Sequence, residues 1–208
     1  MQEPENTEER FNVMVDIETT GVRDDCAILA IGLVQFSTTT WQAIDKYEIN
    51  IGLAGNFGFN RTSDGGTKKF WEGLDEGLRN RMLYPENVES LTQGIDHRQY
   101  LATDLNDAMR QVFRWLSTRV FDRIWCRGTD FDPVILNKAL AQWAPWEFYQ
   151  AQDLRTLTAI YKPDLPRDEV KFPKHNPVSD CLYQIETLRA WCEHFGTRPR
   201  PFEQVKYT

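Results

Sequence analysis

Five residues have types and spacings that could do chemistry: Asp16 and Glu18 in FNVMVDIETTG, Asp132 closing CRGTDFD, and His175 with Asp180 in HNPVSD. Asp16 and Glu18 stand two apart at the end of an apolar run. On a strand they share one face, while Val13, Val15 and Ile17 pack on the other. Two acids held side by side need a counterion, and a divalent cation makes such a pair useful, because hard carboxylate oxygens suit Mg²⁺ or Mn²⁺. Each residue also has a plain structural reading. Asp16 and Glu18 could merely end a strand before a turn at Gly21, Asp132 could cap a helix ahead of Pro133, Asp180 could complement a helix dipole, and His175 could be one of three surface histidines.

The elements that must position them follow from hydrophobic periodicity. Residues 11–17, 27–36 and 43–51 read as three strands joined by short turns, an antiparallel meander. Residues 52–66 carry five glycines and form a loop. Short helices are expected at 68–74 and 76–83. A longer one is capped by Thr103, with Leu105, Ala108, Met109, Val112, Phe113 and Leu116 at helical spacing. A short strand at 123–128 then leads into a helix with Ile135, Leu136, Ala139, Leu140 and Trp143 inward, ending at Pro145. Residues 148–152 supply a last strand, and Asp153 opens a helix that ends near Pro163. The three-proline stretch 162–174 is a loop that could move. Asn176 and Pro177 start the final helix, whose apolar stripe runs through Val178, Cys181, Leu182, Ile185, Leu188, Cys192 and Phe195. Strands first and then strands alternating with helices give an α/β domain with a mixed five-stranded sheet flanked by helices. That order lets acids at strand ends and helix starts meet on one edge.

A length of 208 residues suits one domain, expected at 11–196, with a disordered tail at 1–10 and an irregular tail at 197–208. No apolar run is long enough to span a bilayer, and the acidic start MQEPENTEER is unlike a signal peptide, so a cytoplasmic protein with no membrane partner is expected. Cys26, Cys126, Cys181 and Cys192 lack CxxC spacing and sit in apolar segments, which favours buried thiols. A net charge of −7 argues against broad electrostatic binding to nucleic acid. An acidic pocket filled by cations would still present a positive site to phosphate.

DIETTG, the Phe131-Asp132 pair of CRGTDFD, and HNPVSD, with histidine five residues before aspartate, together resemble the three motifs of the DEDDh 3′–5′ exonucleases of the ribonuclease-H-like superfamily. Arg127-Gly128 stands where many members carry His-Asn. With DLRT at Asp153 to Thr156 and the Asp180-Cys181 pair, that departure is similar to a smaller group typified by phage exonuclease A and bacterial exoribonuclease-like proteins.

The resemblance implies a ribonuclease-H-like fold and a metal-dependent 3′–5′ exonuclease that releases nucleoside 5′-monophosphates from a single-stranded nucleic acid 3′ end. Asp16, Glu18, Asp132 and Asp180 would hold two divalent ions, Mg²⁺ or Mn²⁺, and His175 would be the general base. It places the backbone of Thr19 near the terminal nucleotide. Phe70 and Trp71 could stack on bases or simply pack a short helix. Lys174, just before His175, could touch phosphate or face solvent. DNA is the favoured polymer, trimming of RNA ends the alternative, and a catalytically silent binding module of the same fold the reading from another class. A homodimer is possible from base rates alone.

Overall fold

A computed structural model describes residues 10–88, 98–140 and 144–199. Its centre is β2 (Ile28–Ser37), every residue of which is buried, as an unbroken apolar run requires of a strand covered on both faces. β1 (Phe11–Thr19) pairs antiparallel with β2, and β2 pairs antiparallel with β3 (Ala43–Asn50), which is the expected meander. β5 (Ile124–Cys126) and β6 (Ala151–Asp153) extend the sheet in parallel beyond β1.

The sheet has six strands among the described residues, ordered β4-β3-β2-β1-β5-β6, where five were expected. The addition is β4 (Arg98–Leu101), parallel to β3. Its four residues, RQYL, are too few and too polar to show a period, and a short edge strand is how sheets limit an open edge.

Among the described residues, six α-helices cover the faces. α3 (Leu105–Ser117) and α4 (Asp132–Leu140) pack with Val13, Val15 and Ile17. α6 (Pro177–His194) packs on the other face with Met14, Val34, Phe36 and Trp125, alongside Leu154 at the head of α5 (Leu154–Ile160). α1 (Gly65–Glu72) and α2 (Glu76–Leu83) close the end of β2 through Trp71, Met82 and Leu83.

The caps refine the expected boundaries. Asp104, one residue after the expected Thr103, accepts from the Asp107 N–H at 2.8 Å, and its carboxylate suits a helix start better than a hydroxyl. Asn176 caps α6 as expected, accepting from the Ser179 N–H at 2.9 Å, with Pro177 at the first helical position. Residues 148–150 wind into a single 3₁₀ turn, closed by reciprocal Glu147 and Gln150 bonds, so the last strand is only three residues long. Arg10 belongs to the fold and not to a tail, because its carbonyl accepts from the Thr38 N–H at 2.9 Å. Trp143 and residues 1–9 and 200–208 lie outside the described residues. The four cysteines are buried and unpaired, and no described helix is long and apolar enough to cross a membrane.

Candidate active site

The site forms where β1 runs out. Asp16 and Glu18 lie on the face of β1 that meets α6, and a register irregularity between Glu18 and Thr19 turns the strand end. α6 can reach this edge because of Gly32, the β2 partner of Asp16. A Cβ there would stand 2.4 Å from the Pro177 backbone carbon and 2.6 Å from the Val178 nitrogen. The glycine seats the first turn of α6 on the sheet. Asp180 then comes within reach, and one ligand oxygen from each of Asp16, Glu18 and Asp180 lies within 4.8 Å of the others.

Asp132 joins from the far side. Its Oδ1 accepts from the Ile17 N–H at 3.1 Å, fixing the start of α4 against the middle of the Asp16-Ile17-Glu18 tripeptide. His175 takes a left-handed backbone, φ +56°, strained for a histidine and held by the capped helix that follows. Its Nδ1 is 3.9 Å from Glu18 Oε1, and its ring packs edge-on against Phe70 and Trp71 at 5.1 and 5.7 Å. All five residues singled out in the sequence therefore meet at one edge.

The electrostatics are those of a site short of positive charge. Burial, then the charges of Asp132, Glu18 and Asp180, pushes the Asp16 carboxyl far above the usual carboxylate range. Burial and the neighbouring Asp180 and Asp132 push Glu18 up to about 8. Burial raises Asp132 to about 7 against the opposing Ile17 N–H bond. His175 is lowered, first by burial, so its ring is neutral near physiological pH. Clustered acid oxygens, three of them on groups whose charge the fold disfavours, are a donor set that hard divalent cations complete. The residues fit such ions.

Three further residues hold this set, and sequence reading missed them. Gln184 Nε2 donates to Asp16 Oδ1 at 2.7 Å; it lies one helical turn beyond Asp180, a spacing that could have revealed it. Gly32, isolated in an apolar strand, carried the usual signal of close backbone approach. Arg167 donates through Nη1 to Asp180 Oδ1 at 2.6 Å, and through Nε and Nη2 to the Phe172 and Pro173 carbonyls at 2.8 and 2.9 Å. Nothing in a proline-rich loop announces that clamp.

Among the expected substrate contacts, Trp71 is 2% exposed, and its indole N–H donates to the Thr19 carbonyl at 2.8 Å. It is a buttress under His175 and has no face to offer a base, which corrects the stacking expectation. Phe70 is 45% exposed and keeps an open face. Thr19 is buried, its hydroxyl donating to the Gly21 carbonyl at 2.7 Å. Lys174 is exposed and paired with Glu169 at 2.5 Å. Asp130, the other acid of CRGTDFD, points outward toward Arg155, 3.7 Å away.

Fold and acid cluster together define an α/β domain with a mixed sheet and, at one sheet edge, a carboxylate set suited to divalent cations. The chain is similar to exonuclease I structures, with a TM-score of 0.59 at 9% identity over 88% of this chain in one case. For the enzyme of Methylocaldum szegediense the TM-score is 0.58 at 10% identity, again over 88%. It spans only 41% and 40% of those two chains. The nuclease domain of 3′hExo, a DEDDh family member bound to rAMP, matches with a TM-score of 0.51 at 12% identity, covering 96% of this chain and 99% of that one. No curated protein matches the chain in sequence. The profile of the Rv2179c-like 3′–5′ exoribonuclease domain matches residues 11–192, and the chain belongs to that family.

Proposed function

We propose that the chain is a metal-dependent 3′–5′ exonuclease that removes nucleoside 5′-monophosphates from single-stranded RNA ends. The observation that carries this reading is the convergence of the Asp16, Glu18 and Asp180 oxygens, with Asp132 bonded across to Ile17, beside a neutral histidine. Asp16, Glu18, Asp132 and Asp180 would hold two divalent ions of the Mg²⁺ or Mn²⁺ class, which when bound supply Lewis acidity to the phosphodiester and to water. His175 accepts at a ring nitrogen the proton released as water attacks phosphorus. Gln184 keeps Asp16 turned toward the cluster, and Arg167 does the same for Asp180. The Thr19 backbone, braced by Trp71, and the open face of Phe70 receive the terminal nucleotide.

Membership of an exoribonuclease family moves the weight from DNA, favoured on the sequence, to RNA. DNA stays the second reading because exonuclease I, of similar fold, has been seen with a dT13 oligonucleotide. The test is incubation of matched 5′-labelled RNA and DNA oligonucleotides with Mg²⁺, Mn²⁺ or chelator. A metal-dependent ladder receding from the 3′ end, faster on RNA, is the expected result. No shortening of either polymer would return the protein to the binding-module reading.

A further inference from the structure

The Arg127-Gly128 departure and the DLRT segment turn out to be one device. β5 and β6 run parallel and end side by side, so Arg127 and Arg155 leave the same edge of the sheet. Gly128 has φ +138°, and a Cβ on it would lie 2.8 Å from Arg155 Nη2, so the glycine makes room for that guanidinium. Arg155 Nη2 donates to the Arg127 carbonyl at 2.8 Å and locks the backbone there. The Arg127 side chain itself is exposed, and among the described residues no carboxylate pairs with it.

That side chain borders a cavity of about 270 Å³ between α5 and α6, walled also by Leu154, Thr158, Lys162, Tyr183 and Gln184. Gln184, which holds Asp16, also lines the cavity, so a single side chain links the cavity to the acid cluster. Lys162, like Arg127, has no ion-pair partner among the described residues. Two uncompensated cations beside a catalytic edge, on a chain of net charge −7, form a local anion site. The position decides which anion. Trp71, which bonds the Thr19 carbonyl at the end of β1, packs with Leu29 and Ala30 of β2, and Arg127 with the cavity lies on the β5 side of β1, so a strand laid across the acids would run from one to the other.

We propose that Arg127 and Lys162 at the mouth of this cavity bind the backbone phosphate on the 5′ side of the scissile linkage, making it a subsite for the part of the single strand that stays behind after cleavage. The proposal rests on the exonuclease reading, because the Thr19 side is taken there by the terminal nucleotide. Phosphate contacts of this kind position the strand without reading its bases.

The test measures binding of a labelled single-stranded oligonucleotide to the full chain carrying His175→Ala, with Mn²⁺, across a salt series. In that background Arg127→Ala and Lys162→Ala should each weaken binding roughly tenfold at low salt, uniformly across sequences. The double variant Arg127→Ala, Lys162→Ala should lower the slope of log affinity against log salt by about 0.7, the value for one single-strand phosphate contact. Arg127→Lys, which keeps the charge, should retain the slope. On an oligonucleotide with a neutral methylphosphonate at that one linkage, Arg127→Ala and its parent should bind alike. An unchanged slope, or an equal loss on the neutral oligonucleotide, would overturn the subsite. Tight binding by a wild-type chain that shortens no strand would instead overturn the nuclease reading while the same titrations still judge the subsite. A wild-type chain that binds no oligonucleotide overturns both.

Discussion

Asp16 illustrates how the acids trade stability for chemistry. It sits beside Glu18, Asp132 and Asp180, all of which raise its pKa, and has one neutral donor, Gln184. Asp16→Asn removes a charge that the fold disfavours, so without metal the variant should melt at a higher temperature than the wild type, while calorimetric Mn²⁺ binding is lost. A lower melting point in chelator would contradict the electrostatic account. His175 plays a different part. His175→Ala should lower kcat on the labelled oligonucleotides by 10²–10⁴-fold, roughly the worth of a general base, and leave Mn²⁺ titration unchanged. Full activity in that variant would take His175 out of the mechanism.

At the scale of elements, the site depends on how closely α6 lies against β2. The contact is backbone to backbone at Gly32, so a methyl group there cannot be absorbed by a side chain moving aside. Gly32→Ala should cost about 2 kcal/mol through overpacking, seen as a lower urea midpoint. Because the same helix carries Asp180 and Gln184, Mn²⁺ affinity should fall in step, although residue 32 bears no ligand. An unaltered metal titration alongside lost stability would separate the helix docking from the site. The Arg167 clamp works at this scale too. It ties Asp180 to the carbonyls of Phe172 and Pro173 and so holds the turn that delivers His175.

For the whole molecule, the raised carboxyls predict an unusual dependence of stability on pH. In the unfolded chain these acids release their protons near pH 4. In the folded chain without metal Asp132 keeps its proton to about 7 and Glu18 to about 8. Between those limits the folded state binds more protons than the unfolded state, so stability falls as pH rises. Melting temperatures in chelator should therefore drop between pH 5.5 and pH 8. Mn²⁺ should raise them most at the alkaline end, where its binding no longer has to displace protons. A flat profile in chelator would mean that the acids are better solvated than their burial suggests.

Much of this arrangement was legible in the chain. The alternation around Asp16 and Glu18 and the Asn176-Pro177 start of α6 follow from local periodicity and capping chemistry, which depend on neighbours a few residues away. They were enough for an α/β domain with a mixed sheet, while the choice of the five residues rested on the resemblance of the three motifs to the DEDDh exonucleases, since each residue alone has a plain structural reading. The fourth strand was not legible, because four residues with no alternating pattern acquire strand geometry only by pairing with β3. Nor was the burial of Trp71, whose apolar ring suits a base or a core equally until the Thr19 carbonyl takes its N–H. The sequence by itself determined which groups are ionisable and which segments fold locally. Only the tertiary structure decided which groups face one another across 100 or more residues, as Ile17 meets Asp132 and Asp16 meets Gln184, since such contacts depend on how layers pack and leave no periodic trace in the chain.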